Sequence, residues 1–177
     1  MKHQTVSGMI IQEDEYMKNY NYQDRLTGKL DQLTGDFDQA IINEIVLWKV
    51  NRYAQLDEES LQLLNRISKE DSLMDTDLTI SLLGKLLDTQ GIRLPMASTI
   101  LRFKNPHIYQ IIDQRVYRVI SQEELKLPST IMDQISLYLD FLERLREVCK
   151  TKAIPFFESD RILYEVDKKV NKNLKLK

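Results

Sequence analysis

Sulfur and imidazole are almost missing from this chain. Cys149 is its one cysteine, and His3 and His107 are its only histidines in 177 residues. No internal disulfide can form, no cysteine-bound iron–sulfur cluster or Cys-rich zinc site can be built, and a His-based triad or multi-His metal centre has too little material. No metal and no cofactor are therefore expected, and any catalysis must rest on carboxylates, lysine or tyrosine. Long apolar runs are missing too: none approaches the roughly 18 residues that span a bilayer. The opening stretch MKHQTVSGMIIQEDEY lacks the apolar core and cleavage site of a signal peptide. A cytoplasmic protein without membrane contact is expected. Strand-like alternation is sparse, and no repeat, low-complexity linker or phosphate loop is present. Gly28-Lys29 lacks the upstream glycine of such a loop, because Gln23 stands there.

What is present is a 42% hydrophobic chain of single-domain size with a net charge of −2. An acidic average argues against a nucleic-acid partner, but the charge is unevenly spread. Between Lys85 and Arg118, six cations (Lys85, Arg93, Arg102, Lys104, Arg115, Arg118) face two acids (Asp88, Asp113), a local excess of four. A second basic cluster, Lys168, Lys169, Lys172, Lys175 and Lys177, reads as an ordinary solvated tail.

The apolar spacing predicts an all-α fold. Residues 1–35 read as a polar extension with short helical pieces, and 36–177 as one helical domain. Asp36 or Asp38 can cap a helix to about Tyr53 that carries Ile41, Ile42, Ile45, Val46 and Trp48. Glu58 to Ile67 forms the next. Asp75 or Thr76 caps another through Leu78, Leu82, Leu83, Leu86 and Leu87; Asp75 and Asp77 resemble a metal pair only superficially, since helix starts favour acids. Pro95 suits the first turn of a helix from Leu94 to Phe103. A short helix spans Gln114 to Ser121, Pro128 and Ser129 open a long one, and Ser159 caps the last, Asp160 to about Asn171.

Two of these helices meet at Gly91. A helix that ends at a glycine turn and resumes at once presents backbone N–H groups at the new N-terminus, a seat for phosphate oxygen. Gly91, Ile92, Arg93, Leu94, Met96 and Ala97 would line such a seat, gripping a nucleic-acid backbone without reading sequence. A simple αα corner is the alternative. Beyond it lies Asp113, a carboxylate between Ile111-Ile112 and Val116. Packing alone would favour an apolar or neutral residue there.

The stretches LLDTQGIRLPMASTILRF and YQIIDQRVYRV together resemble the helix–hairpin–helix DNA glycosylase superfamily, the endonuclease III-like base-excision fold. Gly91, Ile92 and Ala97 match its hairpin (about 78–104 here), while Arg93 replaces the second glycine and Thr89-Gln90 the leading Leu-Pro. Asp113, Val116 and Arg118 sit on the phrase that carries the family's aspartate. The family's lyase lysine falls on Pro95, and Asp113 follows it by eighteen residues, as the family aspartate does. The resemblance covers about Gln39 to Val170, with Trp48-Lys49 and Asp160-Arg161-x-Leu163 as further points.

The resemblance implies a two-lobed helical fold with Asp113 at the mouth of a cleft, double-stranded DNA as partner, and a monofunctional glycosylase that hydrolyses the bond to a damaged or modified base. Asp113 would stabilise positive charge on the sugar and position water. With Pro95 in place of lysine no Schiff base can form. The extruded base would be stacked by an aromatic ring, for which Trp48, Tyr109 and Tyr117 are candidates, although packing in the core is the plainer role for Trp48. The other role open to Asp113 is only that of N-cap for the helix that follows. A non-catalytic nucleic-acid or protein-interaction module of the same fold, with a protein partner, is then the second reading, and a scaffold without nucleic acid a third.

Overall fold

The computed structural model describes residues 22–50 and 53–174. Most of the polar extension expected over 1–35 lies outside the described residues, as do Lys175 and Lys177 of the basic cluster. The chain divides into two compact units, 1–53 and 54–177. The sequence pattern places a boundary at residue 35, and the helix that follows it falls within the first unit. Every regular element among the described residues is helical, and none of these helices is long and apolar enough to cross a membrane.

The first unit holds α1 (Asp24–Asp31) and α2 (Gln39–Lys49). Asp38, one of the two candidate caps, accepts from Ile41 N at 2.8 Å and so starts α2. The pair is tied by side chains on backbone: Tyr22 Oη and Gln23 Nε2 both donate to the Trp48 carbonyl, at 2.9 and 2.8 Å. The Trp48 indole N–H donates to Thr27 Oγ1 at 2.8 Å. Leu26 is buried here, while Ile42, Val46 and Leu47 are exposed. Apolar residues wrap most of the circumference of α2, more than an eight-residue helix can cover.

The second unit is built from α3 (Glu58–Arg66), α4 (Thr76–Asp88), α5 (Leu94–Lys104), α6 (Gln114–Ser121), α7 (Ile131–Lys152), a 3-10 turn (Phe156–Glu158) and α8 (Ser159–Val170). Asp57 caps α3 and Asp75 caps α4, each carboxylate accepting from the backbone three residues on. That is the capping role anticipated for Asp75. The core takes Leu78, Leu82, Leu83 and Leu86 from α4, Leu94, Ala97 and Leu101 from α5, and Ile135, Tyr138, Phe141, Leu142 and Leu145 from α7. These are the helical repeats that the apolar pattern marks.

Two helix starts differ from expectation. The long helix begins at Ile131 rather than at Pro128, because Thr130 takes the cap: its Oγ1 accepts from Asp133 N at 3.1 Å and donates to Asp133 Oδ2 at 2.6 Å. Ser159 does not cap α8. The 3-10 turn runs straight into that helix, and the Ser159 hydroxyl bonds backward to the Phe156 carbonyl at 2.7 Å.

Candidate functional site

The glycine turn is formed as the sequence requires. Ile92 N donates to the Thr89 carbonyl at 3.1 Å, closing a four-residue turn with Gly91 in its third position at φ 87°. A side chain there would be strained, so Gly91→Ala should cost about 1–2 kcal/mol in chemical denaturation, against near-neutrality for an ordinary surface glycine. Arg93 is the N-cap residue of α5 but makes no side-chain cap, and Pro95 brings no N–H. The first helical bond is Ala97 N to the Arg93 carbonyl at 2.9 Å. The N–H groups of Leu94 and Met96 are left without an intrahelical acceptor.

The six hairpin candidates separate into two kinds. Ile92, Leu94 and Ala97 send their side chains into the core, so only their main chain can meet a ligand. Gly91, Arg93 and Met96 face solvent.

From α5 the chain is steered to the acid by polar groups that pattern reading did not single out. Asn105, fully buried, donates to the carbonyls of Ser68 and Asp71 and accepts from His107 N at 2.9 Å. Ser98, also fully buried, accepts from Ile112 N at 3.2 Å and donates to the Pro95 carbonyl. The second helix of the hairpin thus holds the residue immediately before Asp113. On the other side, Gln114 exchanges two hydrogen bonds with the Leu125 backbone, at 2.8 and 2.9 Å.

Asp113 is the N-cap of α6 in extended backbone, and its Oδ1 accepts from Val116 N at 2.7 Å. It is half-buried. Burial raises its pKa above the ordinary aspartate value, opposed by hydrogen bonds from the Val116 and Arg115 backbone and by the Arg115 charge, and assisted by Asp167. A cap with a raised pKa is unusual, because backbone N–H donors normally favour the ionised form. Here desolvation outweighs them.

Asp167 is the partner that sequence reasoning missed. Its carboxylate is fully buried and takes Arg118 Nε at 2.6 Å, Arg118 Nη2 at 2.8 Å, Arg115 Nη1 at 3.0 Å and Asn171 Nδ2 at 2.7 Å. Arg118 above all holds it at about 2. The available signal was Arg115 and Arg118 three apart on one helix face, a repulsive pair that calls for a carboxylate between them.

The same structure redistributes the basic window. Lys85 pairs with Glu59 at 2.7 Å, Arg102 with the buried Asp160 at 3.3 Å, and Arg115 and Arg118 with Asp167. Lys104 donates to Asn65. With these three outside acids counted, six cations face five acids, and Arg93 stands exposed without an ion-pair partner among the described residues. A count along the chain cannot see acids that folding brings in from elsewhere.

The three aromatic candidates stand in different surroundings. Trp48 belongs to the first unit, half-buried with its N–H satisfied and its ring edge-on to Tyr22 at 5.2 Å. Tyr109 is only 1% exposed, its hydroxyl within 2.7 Å of Thr79 Oγ1; proposed from sequence as a stacking ring, it is instead a core residue with no face free for a base. Tyr117 is half-buried and stacked on Phe141, centroids 6.4 Å apart.

A cavity of about 660 Å³ opens at the other end of α6, lined by Arg118, Val119, Gln122, Val170, Asn171 and Leu174 among others. Its lining begins at Arg118, about 7–8 Å along the helix from Asp113. No cluster of His, Cys, Asp and Glu suited to a metal ion occurs among the described residues. Compared with known proteins, the chain matches no protein-family model, no curated protein and no solved structure.

Proposed function

We propose that this chain is a duplex-DNA-binding protein of the helix–hairpin–helix glycosylase type, with the glycine turn on a backbone phosphate and Asp113 as the carboxylate of a monofunctional N-glycosylase. One observation carries the reading. A half-buried acid with a raised pKa stands at a helix N-terminus, joined by Ser98 to a glycine-turned helix pair whose leading N–H groups are open. That order of parts, the register between Pro95 and Asp113, and the phrase Asp113-x-x-Val116-x-Arg118 support the family resemblance. In chemical terms, the acid would oppose positive charge developing on a sugar while the turn fixes the strand. The two-lobed arrangement of the superfamily belongs to the same proposal.

A second reading is favoured by a specific observation. Asp113 already has a structural task in capping α6, and four of the six cations in the basic window are held in ion pairs. A non-catalytic module of the same fold would need nothing more.

The two part on experiment. The wild-type chain should release base from at least one member of a panel of damaged and modified duplexes, leaving abasic sites that break only on added alkali. Borohydride should trap no covalent adduct, since Pro95 cannot form one. Base release from none of them, with DNA binding retained, supports the module.

Binding has its own test. Arg93 is the exposed hairpin cation without an ion-pair partner among the described residues, so Arg93→Glu should weaken duplex affinity at low salt about tenfold, and the salt dependence should flatten. With so few free cations, the wild-type salt slope should itself be shallow. Equal affinity of the two proteins across a salt series would remove the hairpin from the interface.

A further inference from the structure

α6 carries two things in its first turn, the capping acid Asp113 and, two residues on, the cation Arg115. Left to itself, that guanidinium would lie close to the acid and favour its charged form. In the structure it is turned to α8 instead: Nη1 donates to Asp167 Oδ2 at 3.0 Å, and the guanidinium carbon lies 5.2 Å from the centre of the Tyr164 ring. We propose that Asp167 is a positioning residue for Asp113: by taking hold of Arg115, α8 blunts a cation two residues from the acid and so shifts the balance between its neutral and charged forms.

Burial acts on Asp113 most strongly and the backbone hydrogen bonds next, and the charges act on top of these. The charges acting on Asp113 are Arg115, from its own helix, and Asp167, from α8, and the two act in opposite directions. The other cation of α6, Arg118, is engaged on the same Asp167. α7 meets α6 through the stacked rings of Tyr117 and Phe141, and α5 reaches the backbone before the acid through the Ser98 hydroxyl. These contacts are uncharged. α8 thus does more than support α6: its one buried carboxylate next to the arginine pair both neutralises Arg115 and adds its own negative potential.

The bearing of this on catalysis rests on the reading of Asp113 given above, but the coupling can be measured without DNA. The side-chain carboxyl of Asp113 is followed by carbon-detected NMR through a pH titration of the full chain. Arg115→Gln keeps the Arg118–Asp167 pair and should fold; its Asp113 midpoint should move up, since an attractive charge is lost. Asp167→Asn should move the midpoint down, because Arg115 is released and a negative charge disappears. If that variant does not fold, Asp167→Asn combined with Arg118→Gln removes one charge of each sign and leaves Arg115 as the unopposed cation, with the same downward shift expected. A midpoint unchanged in Arg115→Gln, or one that fails to fall when Asp167 is neutralised, overturns the proposal. Neither result depends on whether the protein releases a base.

Discussion

Asp113→Asn should lower the rate of base release by about 10² to 10³, equivalent to ~3–4 kcal/mol of lost charge stabilisation, while leaving folding and duplex affinity close to wild type. The structure explains why the fold should tolerate the change. The bond that Asp113 makes to its own helix is accepted by Oδ1 from Val116 N, and an asparagine amide oxygen can accept it equally well. The raised pKa sharpens the point. A carboxyl whose folded value lies above its unfolded value contributes stability that is fully present below the unfolded value and lost as pH rises through the folded one. The ionised acid is therefore a mild burden on the fold near neutrality, and the neutral amide should relieve it. Asp113→Ala, in contrast, loses the cap and should cost about 1 kcal/mol. Single-turnover base release and chemical denaturation on both variants check the pair of expectations. Release that survives in Asp113→Asn would place the chemistry on another group; denaturation of that variant at much lower denaturant would make the acid structural.

The second large effect belongs to Asp167. Replacing it by alanine should destabilise the second unit by about 3–5 kcal/mol, because two arginines would remain next to a site from which their carboxylate has been removed. Its side chain is fully buried and Arg118 is only 11% exposed, so solvent screening gives little relief. The sign of the pH dependence is opposite to that of Asp113. With a folded value of about 2 against an ordinary 3.8, Asp167 contributes about 2 kcal/mol that is present above pH ~4 and lost as pH falls toward 2. Urea denaturation at neutral pH should show the loss in Asp167→Ala. The difference from wild type should shrink across that acid range. A difference below about 1 kcal/mol at pH 7 would mean that the arginines find other partners.

The parts of this protein that were legible from sequence are those that local chemistry decides. Asp38 and Asp75 stand where helix starts need an acceptor, and each accepts its backbone N–H. The leucines of α4 recur at helical spacing and are buried. Gly91 takes the positive φ that its turn demands, and the helix from Gln114 to Ser121 has the bounds that the pattern gave. What failed to show was anything joining distant positions. Arg102 was counted toward the basic excess of its window and is buried on Asp160; Arg115 and Arg118 were counted so too and close on Asp167. Tyr109 reads in sequence as an available ring, and only packing reveals that Thr79 and the core enclose it. Ser98 and Asn105 are common residue types in unremarkable positions, and their importance lies in backbone groups that folding delivers to them. The acid itself was visible because a carboxylate in an apolar phrase is an anomaly in one dimension. Its environment is a property of three.

The clamp between α6 and α8 also bears on how the chain is assembled during synthesis. The ribosome releases α6 well before α8, with the whole of α7 between them, and domains generally fold as units once their parts have emerged. Until Asp167 leaves the exit tunnel, Arg115 and Arg118 lack the buried carboxylate that both close on in the finished fold, and they repel one another across one turn. During that interval α7 can already lay its apolar face on α4, since their contact is leucine, isoleucine and aromatic. The nascent protein would then carry an α4–α7 core with α6 less firmly held until α8 arrives. On that order of emergence, the surroundings of Asp113 would be completed last, after the core beside it.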